Sequence, residues 1–266
     1  MDSYLDSMRL RQAKALPEPP GKGKRAVDFP MTFASWAKTE IGLVRSSNQD
    51  AVGCFPEKGL FVVADGMGGH ANGELASRMA VDVLRSQVEN RLEPGPNDLA
   101  SAVQAANQQI FETGHRDRSS GLPAMGTTIV ALALGRRAAW VHVGDSRLYR
   151  MRGGDLALLT ADDTRFGRQI AVGGPVPLDL QHTNELLCAL GVERQVTATT
   201  GDDELLPGDV FLLCSDGVSG LVSAIAIREE LAAMSDPAAT GTKLLQLAME
   251  AGGSDNASIV VVQHRG

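Results

Sequence analysis

The chain has 266 residues, of which 43% are hydrophobic, and carries a net charge of −7 at pH 7. A chain of this length can bury a sizeable core without disulfide or metal cross-links, and its acidic balance argues against nucleic acid as the main partner. Because no apolar run approaches the roughly 18 residues of a membrane span and the N-terminus lacks the apolar core of a signal peptide, we expect no membrane partner and a cytoplasmic location.

Residues 1–33 differ in composition from the rest of the chain, because prolines and glycines alternate there with lysines and arginines. Such a segment buries little apolar surface, so we expect a disordered or loosely docked N-terminal extension. The remaining residues, 34–266, are predicted to form one folded domain.

Apolar runs bounded by turn residues predict the strands of this domain. The predicted strands span residues 36–42, 51–55, 60–64, 127–134, 138–143, 148–151, 156–159, 210–214 and 258–263. Helical patterns cover residues 74–91, 97–115, 224–234 and 237–251. Residues 160–208 contain several glycines and prolines and are predicted to be an irregular, flap-like excursion.

The order of these elements indicates the fold class. Short connections join antiparallel neighbours, and the helices fall in two blocks around two runs of strands. This arrangement favours an α+β fold, a sandwich of antiparallel sheets with helices, over an alternating parallel fold.

Aspartates recur where predicted strands begin or end, usually beside glycine: Asp50, Asp65, Asp145, Asp216 and Asp255. One aspartate in a turn is commonly only a turn former or a cap, but five at equivalent strand ends favour a shared site. Carboxylate and carbonyl oxygens suit Mg²⁺ or Mn²⁺, whereas zinc sites usually recruit His or Cys. Two such ions about 3.5–4 Å apart would clamp both oxygens of an in-line displacement at phosphorus.

Six short motifs carry a resemblance to a known family. In chain order they are Arg-x-x-Asn-Gln-Asp, Ala-Asp-Gly-Met-Gly-Gly-His, Met-Gly-Thr-Thr, Val-Gly-Asp-Ser-Arg, Cys-Ser-Asp-Gly and Ser-Asp-Asn-Ala-Ser. Together, from about Glu40 to Val262, they resemble the bacterial branch of the PP2C-type (PPM family) metal-dependent serine/threonine protein phosphatases. The resemblance implies a four-layer α-β-β-α fold, in which helices flank both sides of the sandwich.

The resemblance also implies two core Mn²⁺ or Mg²⁺ ions and a weaker third ion. Asp65 would bridge the two core ions and orient the water between them, and the Gly66 carbonyl would complete the first site. Asp216 and Asp255 would hold the second ion, with Asp50 supporting it through water or from behind.

Two further roles follow from the same resemblance. Asp145 matches the acid that helps to bind the third ion, and Arg45 matches the arginine that receives the substrate phosphate. The implied reaction is hydrolysis of phosphoserine and phosphothreonine by a hydroxide that bridges the metal ions. The expected partners are phosphorylated proteins and the bacterial Ser/Thr kinase that the enzyme opposes, and we expect a monomer.

The chain also departs from the family pattern. Met67 stands where many eukaryotic relatives have a histidine proposed as the general acid, and the nearby His70 is better explained as part of a loop or helix start. Asp162-Asp163-Thr164 replaces the Asp-His-Ser of bacterial relatives, so the 160–208 segment leaves substrate specificity open. Cys214 lies in an apolar strand without the Cys-x5-Arg loop of cysteine phosphatases and is expected to be a core residue.

Two other functions fit part of this pattern. A catalytically weak phosphoprotein-binding module would keep the fold and is motivated by the atypical 160–208 segment, but the complete set of acids argues against it. A nucleotide-binding protein with residues 66–69 as a phosphate cradle is disfavoured, because no Lys-Ser or Lys-Thr follows at P-loop spacing.

Overall fold

Two antiparallel β-sheets pack against each other and form the centre of the fold. The computed structural model describes residues 32–68, 70–91, 93–118, 125–165, 167 and 185–266. Residues 1–31 of the predicted extension lie outside the described residues, and Phe33 already begins the first strand.

The described strands are β1 (Phe33–Glu40), β2 (Asp50–Phe55), β3 (Leu60–Met67), β4 (Gly126–Thr127), β5 (Ile129–Leu134), β6 (Arg137–Val143), β7 (Arg147–Arg152), β8 (Asp155–Leu158), β9 (Thr199–Glu204), β10 (Val210–Cys214) and β11 (Ala257–His264). The described helices are α1 (His70–Val88), α2 (Pro96–Arg118), α3 (Asp216–Ser219), α4 (Ala224–Ala232) and α5 (Pro237–Glu250). The first sheet has the order β1-β11-β10-β7-β8. The second has the order β2-β3-β5-β6-β9, with β4 paired to β3.

Strand β3 shows how one sheet serves two cores. Leu60, Val62 and Ala64 belong to the core beneath α1 and α2, whereas Phe61 and Val63 belong to the core between the two sheets. Successive side chains of a strand point to opposite faces, so a strand buried on both faces reads as a continuous apolar run. Strands β10 and β11 alternate in the same way between the inter-sheet core and the core beneath α4 and α5. The four layers α-β-β-α are therefore confirmed.

The helix boundaries follow local signals in the sequence. Asp236 Oδ2 accepts a hydrogen bond from Ala239 N at 3.0 Å, and Pro237 occupies the first position of α5, as predicted. Helix α1 ends at Val88 and α2 begins at Pro96, so the prolines between them separate two helices. No helix in the described ranges is both long and apolar enough to cross a membrane.

Strand β9 is a correction to the predicted irregular stretch 160–208. Its sequence, Thr-Thr-Gly-Asp-Asp-Glu, has no apolar alternation, because β9 is a largely exposed edge strand that pairs, among the described strands, with β6 alone. At Gly201 a Cβ would lie 2.4 Å from the Trp140 ring, so the indole packs directly on the strand backbone. An ion pair between Arg137 and Asp202 adds to the pairing. The flap-like residues 168–184 of this stretch lie outside the described residues.

Candidate metal centre

The seven site residues predicted from the sequence come together at one cleft of about 490 Å³. Six of them line it: Arg45, Asp65, Gly66, Asp145, Asp216 and Asp255. The seventh, Asp50, is buried and lies opposite Asp65 in the β2–β3 register. Since Asp50 and Asp65 come from the second sheet, while Asp216 and Asp255 adjoin strands of the first, the site is assembled from both sheets.

Asp65 lies near the end of β3, where two threonines bind its backbone. Its N–H donates to Thr128 Oγ1 at 3.0 Å, and its carbonyl oxygen accepts from Thr128 N and Thr127 Oγ1, both at 2.9 Å. These bonds fix the backbone, so the carboxylate is the part of Asp65 available to the cleft. At the next residue, Gly66, a Cβ would lie 2.1 Å from Gly73 O and 2.4 Å from Gln49 O, so only glycine fits.

Asp216 is the first residue of α3 and follows β10 after one intervening serine. That serine, Ser215, donates its hydroxyl to Asp50 Oδ2 at 2.9 Å and accepts from Ser258 N at 2.9 Å. Oδ1 of Asp50 and Oδ1 of Asp216 are buried without a hydrogen-bond partner among the described residues. Buried oxygens are nearly always satisfied in folded proteins, so a cation is the partner that fits this pair.

Burial and neighbouring carboxylates raise the pKa of four acids of the site: Asp50, Asp65, Asp145 and Asp216. Burial raises the pKa of Asp65 well above its usual range, and the charges of Asp50 and Asp216 raise it further. Burial, then the charge of Asp216, raises the pKa of Asp145 to about 7. Burial likewise raises the pKa of Asp50 to about 6, although hydrogen bonds from two serines oppose the rise. This concentration of negative charge favours a bound cation.

Arg45 is the only basic side chain among the described residues that line the cleft. Its Nη2 donates to Asp255 Oδ2 at 2.6 Å, and this hydrogen bond raises the pKa of Arg45. The neighbouring Asn256 fastens the loop that carries Arg45, because its side chain accepts from Gln49 N and donates to two loop carbonyls, each at 2.9 Å. The guanidinium is therefore held at the edge of the carboxylate cluster.

Asp145 lies in the turn between β6 and β7, which is anchored by residues that follow β8. Gly144 N donates to Asp163 Oδ2 at 3.1 Å, and Asp163 N donates to Gly144 O at 2.6 Å. Arg147 Nη2 and Asp162 Oδ2 form a half-buried ion pair at 2.6 Å. The Asp162-Asp163 pair that departs from the family pattern thus holds the turn that presents Asp145.

The oxygen ligands of the site suit a divalent ion that keeps some of its waters better than an ion bound by protein atoms alone. No three His, Cys, Asp or Glu side chains in the described part of the chain are close enough to hold one ion by themselves. Mg²⁺ keeps several waters in its octahedral shell and is commonly bound by only one or two carboxylates. A site of a few carboxylates and two unsatisfied oxygens therefore matches such an ion.

Three residues that the sequence left outside the site have clear positions. Met67 lines the cleft, and His70 is the first residue of α1. Cys214 is fully buried in β10, and burial raises its pKa to about 12, so it is the core thiol that the sequence predicts.

The structure adds residues to which the sequence gave no specific role in the site. Thr128 lines the cleft and binds the backbone of Asp65, Ser215 holds Asp50, and Asn256 fastens the Arg45 loop. All three stand beside or within the motifs that resemble the family. A polar residue next to an acid has no characteristic spacing, however, so only contacts in the fold reveal these roles.

Comparisons with known proteins agree on one family. A family profile described as Protein phosphatase 2C matches residues 44–250. The chain is 37% identical over 232 residues to the serine/threonine protein phosphatase PstP of Mycobacterium tuberculosis, covering 85% of this chain. It is 31% identical over 237 residues to protein phosphatase PhpP of Streptococcus pneumoniae, covering 84% of this chain and 94% of the relative.

One of the similar solved structures contains metal ions. The catalytic domain of PstP in complex with two manganese ions has a TM-score of 0.76 and 36% sequence identity. The match covers 88% of this chain and 99% of that domain. The chain spans only 44% of the full length of the mycobacterial relative.

Proposed function

The chain belongs to the protein phosphatase 2C family, and on that premise we propose that it removes phosphate from phosphoserine and phosphothreonine side chains of proteins in a metal-dependent reaction. One observation carries the proposal: four aspartates line a cleft that also holds Arg45, a fifth, Asp50, is buried opposite Asp65, and two buried oxygens of this set have no hydrogen-bond partner among the described residues. The complete set of acids favours turnover over a module that only binds phosphoproteins.

Each acid is proposed to have a distinct role at the metal centre. Asp65 and the Gly66 carbonyl would hold the first core ion, and Asp65 would also be a ligand of the second. Asp216 and Asp255 would hold the second ion, and Asp50 would support it from behind. What supports these assignments is the shared cleft and the unsatisfied oxygens of Asp50 and Asp216.

Arg45 is proposed to receive the substrate phosphate. One of its terminal nitrogens is bound to Asp255, and a guanidinium has further N–H donors that can bind two phosphate oxygens. The contact with Asp255 would keep the phosphate next to the carboxylates. Binding by Arg45 and activation of water would then take place in one cleft.

The bound ions would lower the pKa of a coordinated water and offset the charge of the phosphate, which supplies the nucleophile near neutral pH. Asp65 would orient the attacking water, and Arg45 would hold the phosphate group next to it. Since Met67 cannot donate a proton, the leaving serine or threonine oxygen takes its proton from water or from another group.

Several finer features belong to the same proposal. The core ions are Mn²⁺ or Mg²⁺, and Asp145 contributes to a weaker third ion. The two manganese ions of the PstP structure support a pair of core ions. Substrates are proteins phosphorylated by a bacterial Ser/Thr kinase. The monomeric state, the cytoplasmic location and a loosely docked extension over residues 1–33 stay predictions.

The proposal is tested by hydrolysis of a phosphothreonine peptide. Purified protein should release phosphate with Mn²⁺ or Mg²⁺ and lose this activity when EDTA is in excess, because the carboxylates alone cannot activate water. The same peptide with phosphotyrosine serves as the specificity control.

Two results would contradict the proposal. Hydrolysis that persists unchanged in EDTA would rule out the metal mechanism. Tight binding of the phosphothreonine peptide without any turnover, in the presence of saturating Mn²⁺, would instead favour the binding module.

A further inference from the structure

Exposed apolar side chains are concentrated next to the cleft. Seven large hydrophobic residues are exposed in the described part of the chain. Four of them lie on the two segments that supply Val44 and Leu186 to the cleft wall: Ile41, Leu43, Val44 and Leu187. Single exposed apolar residues need no explanation, but an apolar cluster beside a polar site marks an interaction surface.

We define the apolar rim as Leu43, Val44, Leu186 and Leu187. Leu43 is 69% exposed and Val44 is 71% exposed, and Val44 directly precedes Arg45. Val44 and Arg45 both line the cleft, so the rim begins beside the residue proposed to bind phosphate. A group bound at Arg45 would therefore place its neighbours against the rim.

The backbone under the Leu43 side of the rim is fixed. Leu43 N donates to Gly253 O at 2.7 Å, and the carbonyls of Ile41 and Ser47 accept from Asn256 Nδ2. Gly42 has a φ of 83°, and a Cβ there would lie only 2.3 Å from the backbone of Asp255. The side chains of Leu43 and Val44 are thus held toward solvent by an ordered loop.

The backbone on the Leu187 side of the rim is fixed as well. Leu187 N donates to Asp163 O at 2.8 Å, and Leu186 forms a β-bridge with Thr164. Because the backbone of both sides is held by hydrogen bonds before a partner arrives, binding would require little ordering of the backbone.

We propose that the apolar rim binds an apolar side chain of the substrate protein, close in sequence to the phosphorylated serine or threonine; this inference rests on the proposed function. The surface then has two parts. The cleft with Arg45 binds the phosphate, and the adjoining apolar rim binds a hydrophobic neighbour of the phosphorylated residue. The rim is continuous with the cleft through Val44 and Leu186, which makes the substrate its occupant in preference to a second copy of the chain.

A peptide series tests the proposal with the full chain and Mn²⁺. Four phosphothreonine peptides carry one leucine at position −2, −1, +1 or +2 in a Gly/Ser background, and a fifth has no leucine. At the preferred position, kcat/KM should exceed that of the leucine-free peptide by about 5- to 10-fold, the size expected for partly burying a leucine. The difference should lie in KM, because the contact is equally strong in the ground and transition states.

Leu43→Asn should reduce this preference by about half or more, because it removes one of the four apolar side chains of the rim. Ile225→Asn is the matched control, since Ile225 is 70% exposed but lies on α4, outside the two segments that form the rim. It should retain the wild-type preference.

The outcomes separate the inference from the proposed function. If the wild type hydrolyses all five peptides within about twofold of one another, or if Ile225→Asn loses the preference as Leu43→Asn does, the apolar rim does not select substrates. If no peptide is hydrolysed, the phosphatase function itself fails. A wild-type dimer in light scattering that Leu43→Asn converts to a monomer would assign the rim to a second copy and overturn the inference.

Discussion

The two aspartates at the ends of β3 and β10 sit on different kinds of backbone. Asp65 belongs to the strand itself, and Thr127 and Thr128 bind both of its backbone groups. Asp216 lies beyond the end of β10, in the first turn of the four-residue helix α3. Asp65 can therefore move only with the second sheet, whereas Asp216 is placed by a short helix that follows the first sheet.

The causes of the raised pKa also differ between the two aspartates. Burial is the main cause of the raised pKa at both positions. The four other site carboxylates all raise the pKa of Asp65 further, whereas Asp255 is the main such charge at Asp216. Asp65 is thus the electrostatic centre of the site, and Asp216 lies on one side of it.

The largest expected effect is on activity. Asp65→Asn should lower kcat/KM by about 10³-fold and Asp216→Asn by at least about 10²-fold, because each removes a charge that places the metal-activated water. The measurement is phosphothreonine-peptide hydrolysis with Mn²⁺. Circular dichroism and thermal unfolding should show that both variants fold. An Asp65→Asn variant that keeps more activity than Asp216→Asn would reverse the proposed ranking.

A smaller effect is expected on stability, from the glycine that follows each aspartate. A Cβ at Gly66 would meet two backbone oxygens, at 2.1 and 2.4 Å, and one at Gly217 would meet Asn256 O at 2.0 Å. Gly66→Ala and Gly217→Ala should each lower the free energy of unfolding by about 1–3 kcal/mol, with Gly66→Ala the larger loss.

Urea unfolding in EDTA measures these losses. Gly95→Ala is the control, because the nearest atom to its Cβ is 3.8 Å away, and it should change the free energy by less than about 0.5 kcal/mol. Equal stability of Gly66→Ala and wild type would show that the tight contact under Asp65 is dispensable.

The third expected effect is a pH dependence of the metal-free protein. The pKa of Asp145 is raised from 3.8 to about 7 and that of Asp50 to about 6. A raised carboxyl pKa stabilises the fold below the unfolded pKa, and this stability is lost as the pH rises through the folded pKa. In EDTA, the free energy of unfolding should therefore fall between pH 5 and pH 8 by about 1 kcal/mol or more.

A variant tests the origin of this pH dependence. Asp216→Asn should flatten it, because the charge of Asp216 raises the pKa of both Asp145 and Asp50. Saturating Mg²⁺ should stabilise the wild type more at pH 8 than at pH 5. A metal-free protein that becomes more stable over this pH interval would contradict the mutual repulsion.

The two strands that carry Asp65 and precede Asp216 can be predicted from the sequence, for a physical reason. Strands β3 and β10 are buried on both faces, so they appear as continuous apolar runs, and the Asp-Gly after each run marks where chemistry can begin. Strand β9 could not be found in this way, because its pairing depends on backbone hydrogen bonds and on Trp140 rather than on its own apolar side chains.

The residues that position the site could not be predicted from the sequence either. Ser215 contacts an aspartate 165 residues away in the chain, and Asn256 binds Gln49 across 207 residues. Asp163 lies in a stretch predicted to be irregular, yet it anchors the turn of Asp145. Contacts between residues so far apart in the chain form only when the two sheets pack together.

The division of the carboxylates between the sheets has a consequence for the order of folding. Each sheet can pack its own helices through a separate core, but neither sheet alone brings Asp65 and Asp216 together. We expect the binding site to form only after the two sheets have docked, so cation binding would report the final step of folding. A bound ion would then hold the two sheets together, and it would slow unfolding more than it speeds folding.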